Sequence, residues 1–286
     1  MGTGLMGAPM AYHLTRAGFD VRVWNRSRGK LARLIEAGAR AAASPAEAAD
    51  GADAVCLCVT DKTAVESVLF GEGGVAHAAR TAPLLSDFST IGPDATRALA
   101  ERLRSSCGAS WVDAPVSGGA TGAEQRKLVI FCGGSSADID RLAPVYAAIS
   151  QRFTHIGGLG AGQTLKLCNQ LIVATNLVAI AESMNLARSS GLDLAAIPHA
   201  LAGGFADSIP LQIFGPRMAR GIYTPILGEL ALMLKDLGAV DELARSHDTE
   251  LPMTRAALEV YLQARDRGLL REDLAALYTL YSKPAS

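Results

Sequence analysis

The stretch that most constrains this chain is Gly160-Ala161-Gly162-Gln163-Thr164-Leu165-Lys166-Leu167-Cys168-Asn169-Gln170, because the sequence changes character there. Before it, short apolar runs alternate with helix-type periodicity. Phe19 to Trp24 alternates as a strand does, Ala54 to Val59 is a short apolar strand, and Thr81 to Asp87 leads into another. Ala109 to Val112 and Leu128 to Cys132 read as further strands. After it, strand signals stop. Helix-type patterns run to the end, broken by Gly191, Gly203-Gly204, Pro210, Pro225 and Pro252. Strands alternating with helices imply an α/β fold with a doubly wound parallel sheet, and the later run of helices implies a second, all-helical domain. The boundary near Gly157 to Gly162 divides the chain into residues 1–160 and 161–286.

The chain begins Met-Gly-Thr-Gly-Leu-Met-Gly, which places Gly2, Gly4 and Gly7 in a G-x-G-x-x-G pattern. Context strengthens this weak match. Met6, Met10 and Leu14 recur at helix spacing, Gly18 is placed to end that helix, and the Phe19 to Trp24 strand follows. Loop, helix and second strand are three parts of a Rossmann-type mononucleotide unit. The glycines let a pyrophosphate approach the backbone N–H groups at a helix N-terminus. The strand that normally precedes the fingerprint is missing, since only Met1 stands before Gly2. The pattern therefore predicts roughly four to eight further apolar residues ahead of Gly2. Ser44-Pro45-Ala46-Glu47 carries a helix start with a cap, a first-position proline and a capping-box glutamate. In a doubly wound sheet ligands bind beyond the C-terminal strand ends, which puts Val59, Thr60 and Thr90 near a cofactor.

Within the boundary stretch, Lys166, Asn169 and Gln170 share one helix face at steps of three and four. The surrounding run is apolar on nearly every side, where a lysine is costly unless its ammonium meets a partner or water. One reading is a lysine snorkelling at a helix end. The other is a proton donor with two amide neighbours that hold a substrate oxygen. Asp113 to Gly119 ends in Ser117-Gly118-Gly119, which reads either as a plain loop or as a hydroxyl and N–H cradle for a carboxylate. Lys235-Asp236, inside an apolar helix pattern, reads as a surface ion pair or as part of a site.

Composition narrows the field. A chain of 286 residues that is 49% hydrophobic can bury a sizeable core, and a net charge of −1 argues against nucleic acid or an anionic membrane as partner. No apolar run reads as long enough to span a membrane; Leu171 to Ala181 comes nearest, interrupted by Asn176. Five cysteines at spacings that match no zinc pattern point to a reduced, cytoplasmic setting with no metal site.

Taken together, Gly2 to Gly7, Asp113 to Gly119, Gly160 to Gln170 and Lys235-Asp236 resemble, in order and spacing, the β-hydroxyacid dehydrogenase family, and the resemblance covers essentially the whole chain. It implies a Rossmann domain joined by a long helix to a helical domain, assembled as homodimers or homotetramers. It implies hydride transfer between nicotinamide and a small β-hydroxy acid or semialdehyde, of the 3-hydroxyisobutyrate or 2-hydroxy-3-oxopropionate type. Lys166 matches the catalytic lysine. Ser117, Gly118 and Gly119 match the substrate-carboxylate site, and Asn169, Gln170 and Asp236 match positions that line the substrate pocket. Gly2, Thr3, Gly4, Leu5, Met6 and Gly7 match the cofactor loop, and Lys235 a cofactor contact.

The second strand ends in Trp24-Asn25-Arg26-Ser27, with no carboxylate where NAD would need one for its ribose hydroxyls. Arg26 offers a planar fork for a 2′-phosphate, and Asn25 and Ser27 offer neutral hydrogen bonds, so the expected cofactor is NADP rather than NAD. The plainer alternative is a solvated Arg26 and a Ser27 that caps the next helix. Gly228 stands where many relatives carry phenylalanine, which implies a roomier pocket. Two competing functions are an imine reductase-like enzyme and a nucleotide-binding module without turnover; the retained Lys166 weighs against both.

Overall fold

The computed structural model describes residues 1–78 and 83–281, and the chain divides into two compact units, Met1–Lys166 and Leu167–Ser286. The first unit is a mixed α/β layer structure. Its main sheet runs β3 (Ala54–Leu57), β4 (Leu84–Asp87), β5 (Ser110–Asp113), β7 (Leu128–Gly133), with β6 (Val116–Ser117) and β8 (Ser150–Gly157) both paired to β7. The β3–β4, β4–β5 and β7–β8 pairs are parallel; β5–β7 and β6–β7 are antiparallel. The predicted parallel sheet is thus parallel in the main, with a mixed edge. Thr81, in the predicted Thr81 to Asp87 segment, lies outside the described residues.

Successive strand residues point to opposite faces, and each face has its own core. Leu84 and Val112 pack with Met10 and Leu14 of α1 (Gly7–Arg16) and with Leu142 and Tyr146 of α7 (Ser136–Ile149). Leu85 and Trp111 pack on the other side with Val65 and Leu69 of α4 (Lys62–Phe70) and Leu99 and Leu103 of α5 (Pro93–Cys107). This is the doubly wound arrangement. Three short helices complete the unit: α2 (Ala32–Glu36), α3 (Pro45–Ala49) and α6 (Gly119–Glu124). The predicted start of α3 is present, since Ser44 Oγ accepts from Glu47 N–H and the Glu47 carboxylate accepts from Ala43 N–H.

A second, two-stranded parallel sheet pairs β1 (Arg22–Val23) with β2 (Arg40–Ala41). Between β1 and β3 only Met1 and Gly2 are present, at the end of the place a strand would fill. The Met1 ammonium donates to the Cys56 carbonyl at 2.7 Å and Cys58 N–H donates to the Met1 carbonyl at 3.0 Å, the pattern of parallel pairing. Gly2 N–H donates to the Trp24 carbonyl at 3.1 Å on the other side. Behind this stub lies a cavity of about 500 Å³, lined by Met10, Leu14, Val23, Cys56, Phe88 and Val145 among others. The Phe19 to Trp24 alternation yields a strand of only two residues, paired with β2.

Three strands escape the sequence reading. β2 and β6 are two residues long, and β8 carries only Phe153 and Ile156 as large apolar residues and is mostly exposed, so none shows alternation.

The second unit is helical. It contains most of α8 (Ala161–Ser189), then α9 (Ile197–Leu201), α10 (Ile209–Arg220), α11 (Leu230–Ser246) and α12 (Pro252–Asp266). α8 begins four residues earlier than its apolar run. By length and composition α8 does reach what a membrane span needs, contrary to the sequence reading. Ala174, Leu177, Ala181 and Met184 of that helix are buried in the core of this unit with Leu230, Leu237, Tyr261 and Leu277.

Candidate functional site

The glycine loop is shaped by what a side chain would strike. At Gly2, with φ +83°, a Cβ would overlap the Cys58 carbonyl, and at Gly7 it would overlap the Gly2 carbonyl. A Cβ at Gly4 would meet nothing within 4 Å. Gly2 and Gly7 therefore serve tight packing, and Gly4 leaves the backbone open beside the N-terminus of α1. A pyrophosphate can approach there, with orphan helix N–H groups and the helix dipole to receive it. The residues present fit a dinucleotide.

Asn25 ties this loop to the end of β1. Its Oδ1 accepts from Thr3 N–H at 3.0 Å, and its Nδ2 donates to the Ser27 carbonyl at 3.0 Å. Arg26 is exposed and has no ion-pair partner among the described residues. The Ser27 hydroxyl makes no capping bond to the 3-10 turn Arg28–Leu31 that follows it. Leu5 is exposed and Met6 half-buried.

The strand ends carry a polar cluster. Val59 N–H donates to Ser89 Oγ at 3.0 Å, and the Thr60 hydroxyl donates to Asp61, whose carboxylate caps α4 through Ala64 N–H at 2.8 Å. Thr90 is half-buried next to this cluster in sequence. Asp87 and Asp113 close β4 and β5 side by side in register. Burial, more than any other effect, pushes each carboxyl up to about 6; bonds from Ser89 act against this at Asp87, and bonds from Gly160 and Gln163 act against it at Asp113.

Ser117 ends β6, and Gly118 and Gly119, both at positive φ, turn the chain into α6. Lys166 lies one and a half turns into α8 and is 8% exposed. A lysine this buried has to be matched by polar surroundings.

In the second unit, Asn169 Nδ2 donates to Gln170 Oε1 at 2.9 Å, and Gln170 Nε2 donates to Asp236 Oδ2 at 2.6 Å. Lys235 Nζ stands 3.1 Å from Asp236 Oδ1. Asp236 is 6% exposed, so the pair is not the plain surface ion pair that its sequence allows. Gly228 packs beside Leu274. A Cβ there would stand 3.0 Å from Leu274 Cδ1, and Leu274 is buried in the core of this unit.

The sequence reading assigns no role to Asp113 or Gln163, although both lie inside motifs it singles out. Gln163 is fully buried and contacts four backbone or side-chain partners. The available signal was a long amide side chain at the first turn of an apolar helix, directly after two glycines.

Comparison with known proteins agrees with this geometry. Residues 1–157 match the NAD binding domain of 6-phosphogluconate dehydrogenase, and residues 160–281 match the NAD-binding domain of NADP-dependent 3-hydroxyisobutyrate dehydrogenase. The chain is 35% identical to the 2-hydroxy-3-oxopropionate reductase of Escherichia coli (strain K12), over 97% of this chain and 94% of that one. Its structure is similar to the crystal structure of 3-hydroxyisobutyrate dehydrogenase from Salmonella typhimurium, with a TM-score of 0.90, 31% identity and coverage of 98% and 97%. It is also similar to Psf3 in complex with NADP+ and 2-OPP, with a TM-score of 0.88, 25% identity and 98% coverage of both chains. The chain belongs to the β-hydroxyacid dehydrogenase family and is an NAD(P)-dependent oxidoreductase that acts on a CH–OH group.

Proposed function

We propose that the protein is an NADP-dependent reductase or dehydrogenase of a small β-hydroxy acid and its semialdehyde, of the 3-hydroxyisobutyrate or 2-hydroxy-3-oxopropionate type. The observation that carries this reading is the burial of Lys166 in a helix whose first turn is bound to the strand ends. The bound nicotinamide supplies the hydride in reduction and takes it in oxidation. The chain's own residues hold the substrate and manage its proton. In its ammonium form Lys166 donates a proton to the carbonyl oxygen as that oxygen gains charge. In oxidation it accepts the alcohol proton. Its positive charge also stabilises the developing alkoxide.

Ser117 with the backbone of Gly118 and Gly119 receives the substrate carboxylate. Asn169 and Gln170 are both candidates for a direct substrate contact; their amides are bonded to each other, and that of Gln170 also to Asp236. Asp236 holds the Gln170 amide, and Lys235 beside it is a candidate cofactor contact by the family resemblance. The preference for NADP is supported by exposed Arg26 and by the absence of a carboxylate from residues 24–27. One relative with a similar structure was solved with NADP+.

The test is a substrate panel followed by NADPH oxidation, containing 2-hydroxy-3-oxopropionate, the semialdehyde of 3-hydroxyisobutyrate and a cyclic imine. Turnover of a semialdehyde, and a loss of roughly a hundredfold in Lys166→Ala, is the expected result. Turnover of the imine alone, or near-normal turnover in the variant, would remove the assignment.

A further inference from the structure

The first turn of α8 is fastened to the sheet by two side chains that the proposed chemistry does not use. Asp113 Oδ1 accepts from Gly160 N–H and Asp113 Oδ2 from Gln163 N–H, both at 2.7 Å. The Gln163 side chain then reaches across to the segment after β4. Its Oε1 accepts from Ile91 N–H at 3.1 Å and from Gly92 N–H at 3.2 Å, and its Nε2 donates to the Ser89 carbonyl at 2.8 Å. Ser89 is held in turn, since its Oγ accepts from Val59 N–H and its N–H donates to Asp87 Oδ1 at 2.9 Å. One continuous set of bonds therefore joins the ends of β3, β4 and β5 to the helix that carries Lys166.

Three glycines make this seat close-fitting. A Cβ at Gly162 would overlap the Phe131 carbonyl and stand 2.9 Å from Asp113 Oδ2. A Cβ at Gly133 would lie 2.5 Å from Asp113 Oδ1, and one at Gly160 would lie 2.6 Å from Arg97 Nη1. At Gly162 and Gly133 the obstruction is backbone and the seated carboxylate, so the helix start can sit this near the strand ends only without side chains there; at Gly160 the nearest atom is the movable end of Arg97, and it is the φ of +91° that favours glycine.

Gln163 and Lys166 are three residues apart, one turn along the same face. A slip of the helix by one residue would move Lys166 by about 1.5 Å and swing it by about 100°. Proton transfer is sensitive to displacements of that size, about 1 Å being enough to cost roughly a hundredfold. We propose that Gln163, seated by Asp113, is a positioning residue of the reaction: it sets the height and rotation of Lys166 against the loops that follow β3 and β4. This rests on the reading of Lys166 as proton donor. A role confined to folding would also explain the bonds, and the experiment separates the two.

Gln163→Leu removes the three side-chain bonds at nearly constant volume. It is made in the full chain alone and with Lys166→Ala, and assayed with NADPH and 2-hydroxy-3-oxopropionate, per molecule able to bind NADPH. The single variant should lose about tenfold to a hundredfold in kcat, with NADPH affinity within about threefold of wild type. In the Lys166→Ala background the same change should cost nothing more, because a group that is absent cannot be misplaced. Multiplicative losses in the double variant would overturn the proposal, and so would an unchanged kcat in Gln163→Leu. Near-normal turnover of Lys166→Ala alone would instead sink the proton-donor reading and the positioning role with it.

Gln163→Glu carries the same cycle if the leucine variant fails to fold. Its carboxylate cannot donate to the Ser89 carbonyl, whereas its protonated form can. Its kcat relative to wild type should therefore rise as pH falls, and a flat ratio would count against the proposal. Amide exchange gives a readout without turnover. Ile91, Gly92 and residues 163–167 should exchange at least about tenfold faster in the folded leucine variant, and unchanged protection there would overturn the clamp.

Discussion

Gln170 donates to Asp236 across 2.6 Å with both side chains almost wholly buried. The same carboxylate has Lys235 Nζ at 3.1 Å from its other oxygen. Asp236 thus compensates an amide donor on α8 and a cation on its own helix. Asp236→Ala should destabilise the chain by about 1–3 kcal/mol, the range for leaving a buried donor unmatched, and Asp236→Asn by less than about 1 kcal/mol. Urea titration of both variants checks this. An alanine variant as stable as wild type would mean that Gln170 finds another partner.

Arg26 is exposed and placed after the strand whose end faces the ribose in this fold. Arg26→Ala should weaken NADPH by about tenfold or more, the worth of one or two charge-assisted bonds, and leave NADH nearly untouched. Fluorescence titration with both dinucleotides reads the difference. Equal weakening of both cofactors would place Arg26 on the adenine rather than on a 2′-phosphate.

The two buried carboxyls predict a pH dependence. Asp87 and Asp113 are both pushed up to about 6, from an ordinary value of 3.8, chiefly by burial. Between pH 3.8 and about 6 the folded chain holds protons that the unfolded chain has released, so the contribution of these groups to stability falls as pH rises through that window. Asp87→Asn removes one of them. Its stability relative to wild type should improve from pH 4 to pH 7.5, by up to about 3 kcal/mol at the limit of a two-unit shift. Chemical unfolding at both pH values tests it, and a pH-independent difference would show that Asp87 is ionised throughout.

Much of the fold was legible because the signals were local. The glycine loop, the strand at residues 54–57 and the capped start of α3 follow from residues a few positions apart, whose steric and hydrogen-bonding needs are fixed by their neighbours. β8 was not legible, because an exposed edge strand places no demand on alternation. The boundary stretch was half legible: the spacing of Lys166, Asn169 and Gln170 showed a shared face, but the bonds of Asp113 to Gly160 and Gln163, and of Gln163 to residues 89–92, join segments far apart in sequence.

The glycine loop is tied to several parts of its unit at once: Met1 pairs with β3, Gly2 with Trp24, Thr3 with Asn25, and Met10 and Leu14 behind it lie in the core with α7. A dinucleotide bound at that loop adds its binding free energy to the folded state of all of them. Proteases that cut the unfolded chain would find less of it when dinucleotide is plentiful. The persistence of the protein in a cell would then track the level of its own cofactor.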